Sequence, residues 1–239
     1  DSWRHEGSFN LNTDLREPQL VSHSDDLILY MAKLGTNPRA FEPQGSIFMK
    51  YVGPSEWSAP VDVFPENFIP WRIETRVGGG FEVLGYTGGE NVYEVDGDPI
   101  RIMWLVSNDG VNWQPHPAAG PSGVVLEGGG SETSLVHLDD GGIVAVVRNE
   151  GGDGSGFGSK VCTASGDALG DWQCTHDPRK FDSPLLFRDM GRVWLVARRH
   201  LTETGHYDLE RADLPEASQY LLYQGQYWNA PKPACCNTD

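Results

Sequence analysis

Four short stretches of this 239-residue chain put acids beside bases where strands would begin or end. They are Arg16-Glu17, Arg72-Ile73-Glu74, Ser131-Glu132 with Arg148-Asn149-Glu150, and Asp182-Ser183 with Arg198-Arg199. These residue types suit glycoside cleavage, which needs one carboxylic acid to protonate the leaving oxygen. It needs a second carboxylate, about 5 to 9.5 Å away, to attack or to activate water. Glu17, Glu74, Glu132 and Asp182 are the candidate catalytic carboxylates, with Glu132 and Asp182 as the leading pair. Nearby arginines would keep some of them ionised while burial raises the pKa of another. Arg16, Arg72, Arg148, Arg198 and Arg199 are the candidate substrate binders, because a guanidinium grips a carboxylate through paired hydrogen bonds. Charged strand ends also simply pair with one another at a solvated rim. The distinction rests on whether the fold gathers them.

The elements that would do so are strands. Helical periodicity is confined to Tyr207 to Ala217, and 29 glycines and 16 prolines punctuate the rest. Four times a strand, a turn and an apolar strand follow in order: LREPQLV and LILYMAKL, WRIETRV and FEVLGYT, SETSLV and IVAVVRN, FDSPLLF and VWLVARR. A third strand follows each pair (GSIFMKYV, RIMWLVS, SKVCTAS, YLLYQGQ), and three of these lead into a turn ending in tryptophan. Such four-stranded meanders are the signature of propeller blades, so the expected fold is an all-β, four- or five-bladed β-propeller in a single domain. The repeats run over about 14–64, 70–118, 130–178 and 181–228, and the last lacks a tryptophan-led fourth strand. Residues 2–9 could pair there and close the ring, removing an exposed edge. Aligning the first strands on Val21, Val77, Val136 and Phe187 places all four charged openings at one mouth of the central channel.

The formal charge of −16, from 34 acidic and 18 basic residues, argues against nucleic acid, which demands clustered Lys and Arg. No run of 18 apolar residues and no leader pattern is present, so no membrane span is expected. A hairpin over residues 162–174 would put Cys162 and Cys174 opposite each other, either as a disulfide, implying an extracellular or periplasmic setting, or as two buried thiols. No zinc spacing appears, and no cofactor is expected. The acidic turn Asp96-Gly97-Asp98 could take calcium, although no EF-hand pattern appears. Trp71, Tyr86 and Trp228 are either sugar-stacking platforms or blade packing.

The turn SNDGVNW fits the Asp-box pattern Ser-x-Asp-x-x-x-Trp, and SGDALGDW is a looser copy. In these features the chain resembles sialidase-like propellers, where such boxes are structural. LREP at 15–18 is similar to the motif carrying the first of three carboxylate-binding arginines. SETSLVHLDDGGIVAVVRNE looks like the segment carrying a nucleophile-supporting Glu and the second arginine. The resemblance implies roles for Arg16, Glu132 and Arg148, with Arg198 or Arg199 as the third arginine. Its loop acid and its tyrosine would have to come from Glu42 and from Tyr207 with Asp208. Five-bladed glycosidases, the arabinanase and fructosidase families, are similar in carrying acids at blade-strand starts, with carboxylates alone as the catalytic set. Both resemblances imply a carbohydrate-active propeller, a glycoside hydrolase, and the arginines favour an acidic glycan such as a sialic or uronic acid. A propeller that binds glycan or protein without catalysis is the alternative.

Overall fold

Every regular element that the repeat pattern predicts is a strand, and the strands form four antiparallel sheets. The computed structural model describes residues 5, 8–23, 25–37, 41–76, 78–89, 99–200, 218–224 and 232–233, with side chains described only as far as Arg198. The helical stretch at Tyr207, Asp208, Trp228, the Asp96-Gly97-Asp98 turn and most of residues 2–9 lie outside them.

The first sheet holds β1 (Leu15–His23), β2 (Asp26–Lys33), β3 (Ser46–Gly53), β4 (Glu56–Trp57) and β5 (Val61–Val63). The second holds β6 (Ile69–Thr75), β7 (Phe81–Thr87), β8 (Ile100–Ser107), β9 (Gln114–Pro115) and β10 (Val124–Gly128). The third runs β11 (Thr133–His137), β12 (Ile143–Asp153), β13 (Gly156–Ala164) and β14 (Gln173–Asp177). The fourth runs β15 (Phe181–Asp189), β16 (Arg192–His200), β17 (Ser218–Gln224) and β18 (Lys232–Pro233). The last blade thus draws its short outer strand from the C-terminal segment, through Leu221 opposite Pro233.

The outer strand of the second sheet corrects the expected end of its repeat at 118. β9 and β10 pair with successive parts of β8, so they are one strand broken by a short 3-10 turn at Pro117–Ala119. Proline at 115, 117 and 121 cannot donate to a ladder, which explains the break.

Sheets stack through alternating side chains. Tyr30 and Val21 meet Phe68, Phe81 and Leu105 between the first two sheets; Trp104, Ile102 and Tyr86 meet Leu135, Ile143 and Trp172 between the next two; Val136 and Val146 meet Leu186 and Leu195 between the last two. Inner strands β1, β6, β11 and β15 touch in that order, the arrangement of a β-propeller. Trp104 and Tyr86 are therefore blade packing.

Two tryptophan turns pin blade edges. Asp109 accepts from the Val111 and Asn112 backbone N–H groups at 2.9 and 2.8 Å and from Ser107 Oγ at 2.9 Å. These bonds hold its carboxyl well below the usual range. The Trp113 indole donates to Gly110 O at 3.2 Å, and Trp172 repeats that bond to Leu169 O at 3.1 Å around a 3-10 turn with no side-chain cap. There the disulfide Cys162–Cys174 ties β13 to β14 instead. Among the described residues no helix is long and apolar enough to cross a membrane.

Candidate functional site

The mouth of the β11–β12 hairpin sets the site. Arg148 N–H donates to Glu132 O and Ser131 N–H to Arg148 O, both at 2.9 Å, so acid and base are locked opposite each other at the rim. Strand alternation then puts Arg148 and Glu150 on one side of β12, and Lys180 and Asp182 on one side of the chain entering β15. The Arg148 guanidinium becomes a three-way clamp. It reaches Glu132 Oε1 at 2.7 Å, Glu150 Oε2 at 2.9 Å and Asp182 Oδ1 at 2.8 Å. Lys180 Nζ sits 2.5 Å from Glu150 Oε2 and 3.7 Å from Asp182 Oδ1, and Arg198 Nη2 lies 3.5 Å from Asp182 Oδ2.

Two β-bulges complete the rim, and both carry a non-glycine residue at positive φ followed by proline. They are Glu17-Pro18 in β1 (φ 54°) and Ser183-Pro184 in β15 (φ 50°). Proline suits a bulge because the extra residue has no ladder bond to make, and the bulge re-aims the residue before it. At Ser183 the backbone N–H turns onto Glu132 Oε2 at 2.6 Å. At Glu17 the half-buried carboxylate comes under the charges of Glu132 and Arg148.

The electrostatics separate these acids. Burial first, and then the charge of Glu132, push Glu17 up to about 7 against Arg16 and Arg148. Burial also raises Glu132, while Arg148 and the Ser183 N–H favour its charged form. Glu132, Glu150 and Asp182 share Arg148, Lys180 and Arg198, and Glu17, on which Arg16 and Arg148 also act, is the acid that burial and the neighbouring Glu132 keep protonated up to about 7. Glu132 and Asp182 both touch one guanidinium, which keeps them within the roughly 9.5 Å over which two acids can cooperate in glycoside cleavage.

The other expected residues fall differently. Asp182 belongs to the cluster but is 0% exposed, so no substrate can touch it. Arg16 pairs with Asp14 at 2.7 Å, and its charge is felt by Glu17. Arg198, part-exposed, reaches the cluster, and the side chain of Arg199 lies outside the described residues. Arg72 and Glu74 do not join. They pair with each other at 2.8 Å toward the opposite, hairpin-turn end of the channel, where Glu74 faces His137. The cause is register: the β6 hairpin closes with Thr75 opposite Phe81, so the counterpart of Val21 and Phe187 in β6 is Ile73, four residues before Val77. That end has its own cluster. Glu82 accepts from Trp104 Nε1 and pairs with His137 Nε2, each at 2.9 Å, and His116 stacks on Trp104 at 3.8 Å.

Strand-end reasoning missed Lys180, and it named Glu150 and Ser183 at the strand ends without giving either a role in the site. Period-two spacing was the available signal for Lys180 and Glu150, since Arg148/Glu150 and Lys180/Asp182 are each i, i+2 pairs. Beyond the rim, a cavity of about 570 Å³ opens between the segment before β1 and the turn after β2, lined by Asn10, Asn12, Thr13, Asp14, Thr36 and Asn37. Glu42, the loop acid, lies against Gly35 beside it. Among the described residues no group of three or more His, Cys, Asp or Glu is arranged to hold a metal.

No family model and no characterised protein matches the sequence. Solved structures match in shape. The GH43 BlXynB protein from Bacillus licheniformis aligns over 92% of this chain and 44% of its own, at 13% identity and TM-score 0.51. A thermostable family-43 glycoside hydrolase aligns over 95% and 73%, at 10% identity and TM-score 0.55. The Bombyx mori GH32 beta-fructofuranosidase BmSUC1 aligns over 93% and 49%, at 13% identity and TM-score 0.52. The chain spans less than half the length of the first of these, and identities this low establish the shared β-propeller fold alone.

Proposed function

We propose that this propeller is the catalytic body of a glycoside hydrolase, with Glu17 as general acid and Glu132 as the ionised partner that attacks the anomeric carbon or activates water. One observation carries the reading: two carboxylates on different sheets feel each other's charge, and Glu132 is the one held by a guanidinium and an N–H donor. Glu132 is anchored by Arg148 and Ser183, so the shared proton resides on Glu17, ready for the leaving oxygen. Asp182 and Arg148 act as positioning residues behind Glu132. The names of the structural neighbours, family-43 and GH32 glycosidases, support the same class of reaction.

The arginines favour an uncharged glycan over a sialic or uronic acid. Among the described side chains, Arg148 spends its donors on three protein carboxylates and Arg16 pairs with Asp14, which leaves Arg198 of the three-arginine grip of the sialidase reading. The amide- and hydroxyl-lined cavity beside β1 gives an oligosaccharide room to extend. The disulfide favours an oxidising, extracellular or periplasmic setting.

A panel of aryl arabinosides, xylosides, fructosides and sialosides tests this. Turnover of an uncharged glycoside, cut by roughly 10³-fold in Glu132→Gln and in Glu17→Gln, is expected. Activity should decline as pH rises through about 7, where Glu17 loses its proton. Binding of glycans with no turnover would instead identify a lectin-like propeller.

A further inference from the structure

Behind the rim lies an ion pair that the reaction itself does not need. Lys180 is 3% exposed and Glu150 5%, and burying both costs desolvation that apolar side chains of the same volume would avoid. Their placement gives them an electrical role. Lys180 contacts Glu150, Glu150 contacts Arg148, and Arg148 contacts Glu132, a line of alternating charges with successive separations of 2.5, 2.9 and 2.7 Å. Every link is buried, so each charge is felt along the line with little solvent screening.

We infer that the Lys180–Glu150 pair is a positioning device that sets, through Arg148, how tightly the rim carboxylates hold their shared proton. The inference rests on the glycosidase reading of the same rim. The charges acting on Glu17 and Glu132 come from β1 (Arg16), β12 (Arg148), β15 (Asp182) and β16 (Arg198), while Glu150 touches Arg148 and Lys180 touches Glu150 and Asp182. Removing the charge of Glu150 leaves Arg148 less neutralised, which favours ionised rim acids and releases the proton at lower pH. Removing the charge of Lys180 leaves Glu150 drawing more of the Arg148 field, which holds the proton to higher pH.

The test is the basic limb of the pH–rate profile, because a role in packing alone does not give displacements of opposite sign. Glu150→Gln should move the limb down and Lys180→Met should move it up, each by roughly one pH unit. The double variant, which buries no unpaired charge and keeps the fold if Lys180→Met alone does not, should return close to wild type. Limbs that stay put, or that move the same way in Glu150→Gln and the double variant, overturn the inference. ¹³C-carboxyl NMR titration of Glu17 and Glu132 in the same proteins reads the proton directly. If no glycoside is turned over, the glycosidase reading fails while the titration still decides this inference: opposed shifts uphold it and absent shifts reject it.

Discussion

The two ends of the propeller channel each bury a glutamate in a polar cluster, and they differ in how the charge balances. At the hairpin-turn end Glu82 has one oxygen on the Trp104 indole and the other on His137, and Arg72 pairs with Glu74, so each acid has its partner. At the strand-start rim Glu132, Glu150 and Asp182 share Arg148, Lys180 and Arg198, and Glu17 sits in a bulge with its proton favoured up to about 7 by burial and by Glu132. Pairwise satisfaction gives stability; burial of Glu17 beside a second carboxylate keeps a proton on the protein at neutral pH. That distinguishes a candidate reactive centre from a structural one better than the count of charges does.

The sharpest way to break this comparison is to remove the clamp. Arg148→Met strips Glu132, Glu150 and Asp182 of their common cation, and loss of about 3 to 5 kcal/mol is expected, measured by urea denaturation at pH 7. Arg72→Met at the other end removes half of a part-exposed pair and should cost at most about 1 kcal/mol. Equal costs would erase the difference between the two ends.

Glu17 offers the next largest effect, with a sign opposite to that of an ordinary substitution. Its folded pKa lies above the unfolded value, so its favourable contribution is complete below about 4.5 and is lost as pH rises through about 7. Above that pH the buried charge works against folding. Glu17→Gln should therefore stabilise the protein at pH 8, by on the order of 2 kcal/mol, while abolishing turnover, and should leave stability at pH 4 nearly unchanged. Thermal unfolding at the two pH values checks it. A variant equally destabilised at both would make Glu17 a structural residue.

Much of this rim was readable in the chain because the repeats carry it. Glu132 with Arg148, and Asp182 with Arg198, fall at matching hairpin ends, and counting strands from their turns finds them. Arg72 and Glu74 were misassigned because Arg76 to Gly80 forms a turn earlier than the apolar pattern suggests; three consecutive glycines give no side chain to mark where the strand ends. The bulges at Glu17 and Ser183 were written as Glu-Pro and Ser-Pro in equivalent strands, yet nothing in alternation alone says that a residue before proline turns toward the channel. The enclosure of Asp182 is a tertiary fact, set by β11, β12 and β16 packing around it, and no local pattern carries it.

The smallest expected effect sharpens the contrast from the structural side. His137 titrates above its ordinary value chiefly because of its hydrogen bond to Glu82, so the protonated ring is favoured in the folded protein. That contribution is present below about pH 6.5 and is lost as pH rises through the folded value. The ring is 37% exposed, so solvent screening keeps the effect below about 1 kcal/mol. In Glu82→Gln the amide oxygen can still accept from Trp104, and what disappears is the charge that holds the His137 proton. The variant should therefore lose more stability at pH 5.5 than at pH 9, with glycoside turnover unchanged at both. A pH-independent loss would show that Glu82 works through Trp104 alone, and an altered rate profile would mean that the two ends of the channel are electrically joined.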